Sequence, residues 1–191
     1  AVLSACGVSA LARRQLAGEG AVLAFHGLSE HGASVGVQDA GLHLTASMFR
    51  AVCQHLSANY HVMPLAEIAA LLRAGEPLPP GAVGLSFDDG YASNYELAFP
   101  VLKEAGLPAT VFLATGFVDR VQPLWFQDVD LAMLHGAIMP GRLSLADALA
   151  SLKTLPDEAM RALVSEMKRH VPEPFDEPQV TRPMTWPQVR E

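Results

Sequence analysis

Val83-Gly84-Leu85-Ser86-Phe87-Asp88-Asp89-Gly90 decides the fold. Five residues with apolar or small side chains read as a buried strand, and two adjacent carboxylates end it. In parallel α/β folds the carboxyl ends of strands are where ligands sit. Packing gives no reason to place two acids there, because burying unpaired charge is costly. A divalent cation would resolve the cost. One carboxylate can bind it while its neighbour, pointing elsewhere, acts as a base. Gly90 lets the chain turn sharply. The competing reading of Asp88 and Asp89 is a solvated turn followed by a helix cap. An aspartyl-nucleophile phosphatase fits poorly, because its two acids are separated by one residue and these are contiguous.

Working outward, Ala21-Val22-Leu23-Ala24-Phe25 is a second buried-strand pattern, ending at His26-Gly27. Gly27 to Gly41 reads as loop. Thr45 caps a helix carrying Met48, Val52 and Leu56. His61-Val62-Met63 reads as a short strand. Leu65, Ile68, Ala69 and Leu72 form a helical stripe closed by Gly75. Beyond the acids, Leu97, Val101 and Leu102 share a helix face that ends at Gly106. Ala109-Thr110-Val111-Phe112-Leu113 is another strand. Strands alternating with helices argue for a parallel sheet or a β/α barrel.

The chain changes character after Gly116. Ser144 with Asp147 starts a helix bearing Leu145, Ala148, Leu149 and Leu152. Pro156 restarts one bearing Met160, Leu163, Val164 and Met167. These helices, about 144–170, read as an insertion on the main body. Prolines crowd 172–187, so regular structure is not expected there before Trp186. Ala5 to Gln15 reads as a short apolar helix holding an ordinary Cys6. Leu3-Ser4-Ala5-Cys6 also matches a bacterial lipidation box over four residues.

Composition excludes several classes. The 191 residues suit one domain, taken as 1–191. With 50% hydrophobic and 17% charged residues the chain can bury a core and is not intrinsically disordered. A net charge of −7 disfavours nucleic acid as a partner. No apolar run reaches the roughly 18 residues of a membrane span. Two cysteines cannot build a disulfide scaffold or a Cys-rich zinc site.

Val83 to Gly116, with its Phe-Asp-Asp-Gly-Tyr core, resembles the polysaccharide deacetylases, also called NodB-homology or carbohydrate esterase family 4 domains. The segments Ala21 to Leu28, Phe49 to Gly90, Leu124-Trp125-Phe126 and Met184-Thr185-Trp186 extend the resemblance over nearly the whole chain. It implies the N-terminal half of a distorted (β/α) barrel. It implies Asp88 as catalytic base, Asp89 as metal ligand, and His26 beside the active site. Tyr91 and Trp125 become candidate substrate contacts. The implied cofactor is a divalent metal, zinc above all, with cobalt, manganese or nickel as alternatives. The implied substrate is an N-acetylated or O-acetylated sugar of a polysaccharide, at a bacterial cell envelope or periplasm.

In that family two histidines spaced His-x-x-x-His complete the metal site. His26, His31, His43, His55, His61, His135 and His170 contain no such pair. The expectation is a chain that stops before the pair, with little activity and marginal stability of its own. A single carboxylate holds zinc poorly, since zinc sites use three or more protein ligands. The alternative is a carbohydrate-binding relative that has lost the metal. His31, His55, His61, His135 and His170 read as surface or helix-end residues. Trp186, like Trp125, could stack on sugars or simply cover the core.

Overall fold

In the computed structural model, residues 19–30, 42–137, 139, 143–172 and 178–191 are described. The central strand is β5 (Ala82–Phe87), buried at all six positions. On one side it pairs in parallel along its whole length with β1 (Gly20–Phe25), from Gly20↔Ala82 to Phe25↔Phe87. Two short strands also pair with it in parallel. β4 (His61–Val62) takes Ala82 and Val83, and β6 (Thr110–Val111) takes Ser86 and Phe87. The sheet does not close among the described residues. Mixed α/β structure on an open parallel sheet makes this a partial barrel.

The steps from β4 to β5 and from β5 to β6 cross over through helices, as parallel pairing favours. Helix α1 (Ala46–Asn59) starts at Thr45, whose hydroxyl accepts from Met48 N at 3.2 Å. Helix α2 (Leu65–Ala74) and helix α3 (Phe99–Ala105) both end at left-handed glycines, Gly75 and Gly106. Helix α3 is preceded by a wider turn, Asn94–Ala98, in which Phe99 N reaches back five residues to Asn94 O. The helices cover β5 with Phe49, Cys53, Leu56, Val101 and Leu102. At the heart of this core Phe25, Phe49 and Phe87 meet ring against ring at 5.4 to 5.6 Å.

A second core belongs to helices. After α4 (Thr115–Val118), α5 (Trp125–Leu134) packs with α6 (Leu145–Leu152) and α7 (Asp157–Lys168). Val129, Ala132, Ala148, Leu152, Met160, Val164 and Met167 are buried together. The chain then makes a short turn, Gln179–Thr181, and the final helix α8 (Trp186–Arg190), capped by Thr185 and Gln188.

The structure corrects several readings. β1 is not a buried strand. It is an edge among the described residues, and Val22 is 53% exposed. Gly27–Ser29 is not loop but strand β2, paired in parallel with β3 (His43–Thr45). The strand read at Ala109 to Leu113 is only Thr110–Val111. Met48, Leu72 and Leu163 match their helices' apolar spacing but face solvent. Periodicity marks candidate faces, and the width of the partner decides how many rows are covered. Helices α4 and α5 and the turn at Gln179–Thr181 went unread. The Ala5 to Gln15 helix, Cys6 and His31 lie outside the described residues.

Candidate active site

Because Phe25 and Phe87 are in register, the residues that follow them leave the sheet together. Asp88 N donates to Phe25 O at 2.8 Å, extending the ladder one step past the strands. His26 and Asp88 therefore emerge side by side at the carboxyl end of the sheet. Asp89 then turns the chain. It has φ +69°, the left-handed region that Asp tolerates better than most residues. Gly90 follows at φ +86°. A side chain there would meet Leu113 Cδ2 at 2.7 Å, so the tight approach as well as the turn requires glycine.

Three segments hold this turn. Besides the bond to Phe25, Ala114 N donates to Asp89 O at 3.1 Å, and Met184 N donates to Gly90 O at 2.8 Å. Ala92 N donates to Arg182 O at 2.8 Å, and Tyr91 bridges to Pro183. The proline-crowded tail thus packs against the acid turn. Its backbone supplies partners that sequence patterning, which reads side chains, does not register.

Both carboxylates are half-buried. Burial pushes the Asp89 carboxyl above the usual carboxylate range. The His26 charge opposes the rise, and the Asp88 charge adds to it. Asp89 thus lies within electrostatic reach of both His26 and Asp88.

The other candidates fall elsewhere. Tyr91 is 0% exposed, its ring edge-on to His43 at 5.1 Å and to Phe117 at 5.6 Å. It is core beneath the turn and presents no surface to a substrate. Trp125 begins α5, packs against the helical core, and lines a cleft with Asp128, Arg161 and Lys168. Trp186 donates from Nε1 to Asp119 Oδ1 at 2.6 Å. Sequence reasoning passed over Ser93, which is buried in the turn's wake and bonded to the segment after His26. Serine in a helical start gives no periodic signal.

Among the described residues no group of three or more His, Cys, Asp and Glu could hold a metal ion. His26, Asp88 and Asp89 do not make one between them. The described donors do not fit a divalent cation unaided, which takes three or more protein ligands in catalytic zinc sites. Among the described residues no helix is long and apolar enough to cross a membrane.

Residues 75–168 match the family model described as polysaccharide deacetylase. Poly-beta-1,6-N-acetyl-D-glucosamine N-deacetylase of Escherichia coli (strain K12) is 42% identical over 61 residues, 32% of this chain and 9% of that protein. YxkH of Bacillus subtilis (strain 168), whose name assigns it provisionally to the polysaccharide deacetylases, is 30% identical over 78 residues. That match covers 41% of this chain and 28% of the relative. The solved de-N-acetylase from Aggregatibacter actinomycetemcomitans superposes with a TM-score of 0.51 at 22% identity. It covers 90% of this chain and 49% of that one, and shows a shared fold. The chain thus spans less than a third of each curated relative and about half of the solved structure. The acid turn lies inside the matched span, and this stretch of the chain is similar to the polysaccharide deacetylases.

Proposed function

We propose that the acid turn is part of the active site of a hydrolase that removes acetyl groups from N-acetylated sugars of a polysaccharide. One observation carries the reading. Two contiguous carboxylates stand at the carboxyl end of a buried parallel strand, beside a histidine, with the ionised form of one of them disfavoured. Groups with displaced protonation in such a place mark functional sites.

In this reading Asp88 accepts a proton from the water that attacks the acetyl carbonyl. The carbon–oxygen bond forms, the carbon–nitrogen bond breaks, and the departing amine takes up a proton. His26 stands beside the acids. Asp89 is offered as one ligand of a divalent cation, zinc or a similar metal. Its other donors are not among the described residues, so no step is assigned to the ion. The residues 1–191 are read as one domain, with α6 and α7 an insertion on the sheet. A polymer of N-acetylated glucosamine is the substrate class favoured by the name of the Escherichia coli relative, and the cell envelope is the place proposed for it.

The test is acetate release from β-1,6-linked N-acetylglucosamine oligomers by the product of the whole gene. Asp88→Asn is expected to lower kcat by about 10²–10⁴-fold, the usual worth of a general base. Unchanged turnover would overturn the assignment. A second reading is a binding relative without catalysis. It requires oligomer binding that chelator leaves intact and no acetate release.

A further inference from the structure

We infer that Ser93 is a positioning residue, whose hydroxyl holds the segment after His26 against the acid turn and so sets His26 beside Asp88 and Asp89. The inference rests on the deacetylase reading for its functional consequence, but its geometry is independent of that reading.

Two hydrogen bonds connect the segments, one on each side of the site. Asp88 N donates to Phe25 O, just before His26. Leu28 N donates to Ser93 Oγ at 2.9 Å, just after it. His26 is the apex of a span fixed at both ends, and both ends are fixed to the same acid-bearing turn. The second bond is sealed from water. Leu28 is 1% exposed and Ser93 5% exposed. A buried N–H left without its acceptor is expensive, so the segment has strong reason to keep this contact or to move.

The neighbours leave few ways to move. A Cβ at Gly27 would lie 2.2 Å from His43 Nδ1 and 3.4 Å from Ser93 Oγ. The backbone at Gly27 is thus pressed between the β3 histidine and the serine. β2 continues in register with β3 from Gly27↔His43 to Ser29↔Thr45, which fixes its direction. β3 also meets the turn, through the His43 ring edge-on to Tyr91 at 5.1 Å, but this is a ring contact and leaves the β2 backbone without a hydrogen bond to the turn. Ser93, two residues into the helical start beyond Tyr91, spans that gap with a side-chain bond.

Ser93→Ala should therefore loosen His26 from the acids without removing a charged group. The first readout is the nuclear magnetic resonance signal of the His26 ring in the chain itself. In the Ser93 background, Asp89→Asn is expected to shift that signal, because the two groups interact. In the Ser93→Ala background the response is expected to fall by at least about half, since an interaction between charges weakens with distance. Ser93→Thr, which keeps the hydroxyl, is expected to restore it. A purely structural role would lower the melting temperature and leave the response alone. An unaltered response in folded Ser93→Ala overturns the inference. So does a lost response in folded Ser93→Thr, or no response to Asp89→Asn in the Ser93 background.

The second readout is acetate release by the whole gene product. Ser93→Ala is expected to lower kcat by up to about 10²-fold, with KM little changed, as misplacement of about an ångström can do. Unchanged kcat in an active enzyme overturns the inference. An inactive wild-type enzyme would instead count against the deacetylase reading, and the ring signal would still decide on Ser93.

Discussion

Phe25 stands opposite Phe87 in the parallel ladder, their ring centroids 5.4 Å apart, and the residues that follow them, His26 and Asp88, open the candidate site. The same pair is both the end of the core and the footing of the site. Each ring also meets Phe49 from α1. Packing at the strand ends therefore fixes where the polar groups start.

Truncating Phe87 should show this coupling. Phe87→Ala empties a buried site in contact with two other rings, at an expected cost of about 3–5 kcal/mol. Phe87→Leu, which keeps much of the volume, should cost less. Urea unfolding of the chain measures both. The two substitutions should fall in the same order in acetate release, because the acid turn begins at the next residue. Equal stability of Phe87→Ala and wild type would mean that the three-ring core is not the support described.

Asp89 is expected to destabilise the metal-free chain at neutral pH. Burial raises its carboxyl in the folded state, with Asp88 adding and His26 opposing. A carboxyl raised on folding binds its proton more tightly in the native state. Its ionised form costs stability above the raised value, and the cost fades as pH falls through that value toward the ordinary carboxylate range. Asp89→Asn should therefore melt higher than wild type at pH 7, with the gap closing on acidification. Asparagine also tolerates the left-handed backbone at φ +69°. Asp89→Ala should recover less, because alanine is strained there. Melting temperature against pH for the three proteins is the measurement, and a wild type that outlasts Asp89→Asn at pH 7 contradicts it.

What the sequence made legible follows from what each signal measures. The run Val83 to Phe87 reads as strand because every side chain is apolar or small, and all of them are buried. Asp88 and Asp89 stand out against that run, and nothing in packing explains them. β1 misled, since its apolar residues look the same whether one neighbour or two covers them. Met48, Leu72 and Leu163 misled for a similar reason at the margins of helix faces. Tyr91 follows the acids directly in the chain, yet the turn at Asp89 and Gly90 drives it inward against His43 and Phe117. The ties from Arg182, Met184 and Ala114 are backbone bonds between distant segments, which no local pattern encodes.

Trp125→Ala tests the place of that ring. Its indole packs at the start of α5 against the helical core, with its own contact to Phe126 at 6.1 Å. Removal of a half-buried ring of this size should cost about 2 kcal/mol of stability. Affinity for N-acetylglucosamine oligomers, read by calorimetry, should not change. A fall in affinity with stability intact would return Trp125 to the list of sugar contacts.

Lys168 on α7 and Asp128 on α5 join the two helices at 3.0 Å, with Asp128 nearly buried at 12% exposure and Lys168 at 46%. Burial raises the Asp128 carboxyl even though the Lys168 ammonium beside it pulls the other way. The pair thus offsets part of a desolvation cost and does not add net stability. Removing the cation leaves the cost exposed. Lys168→Met, which keeps an apolar stem over the helix surface, is expected to lose about 1–3 kcal/mol at pH 7. The loss should shrink as pH falls through the raised value, below which the folded Asp128 is neutral with or without the lysine. In an Asp128→Asn background Lys168→Met should cost little at any pH. Urea unfolding at pH 7 and near pH 4 measures all three proteins. A loss from Lys168→Met that is the same at both pH values would show that the lysine acts through its stem rather than through its charge on Asp128.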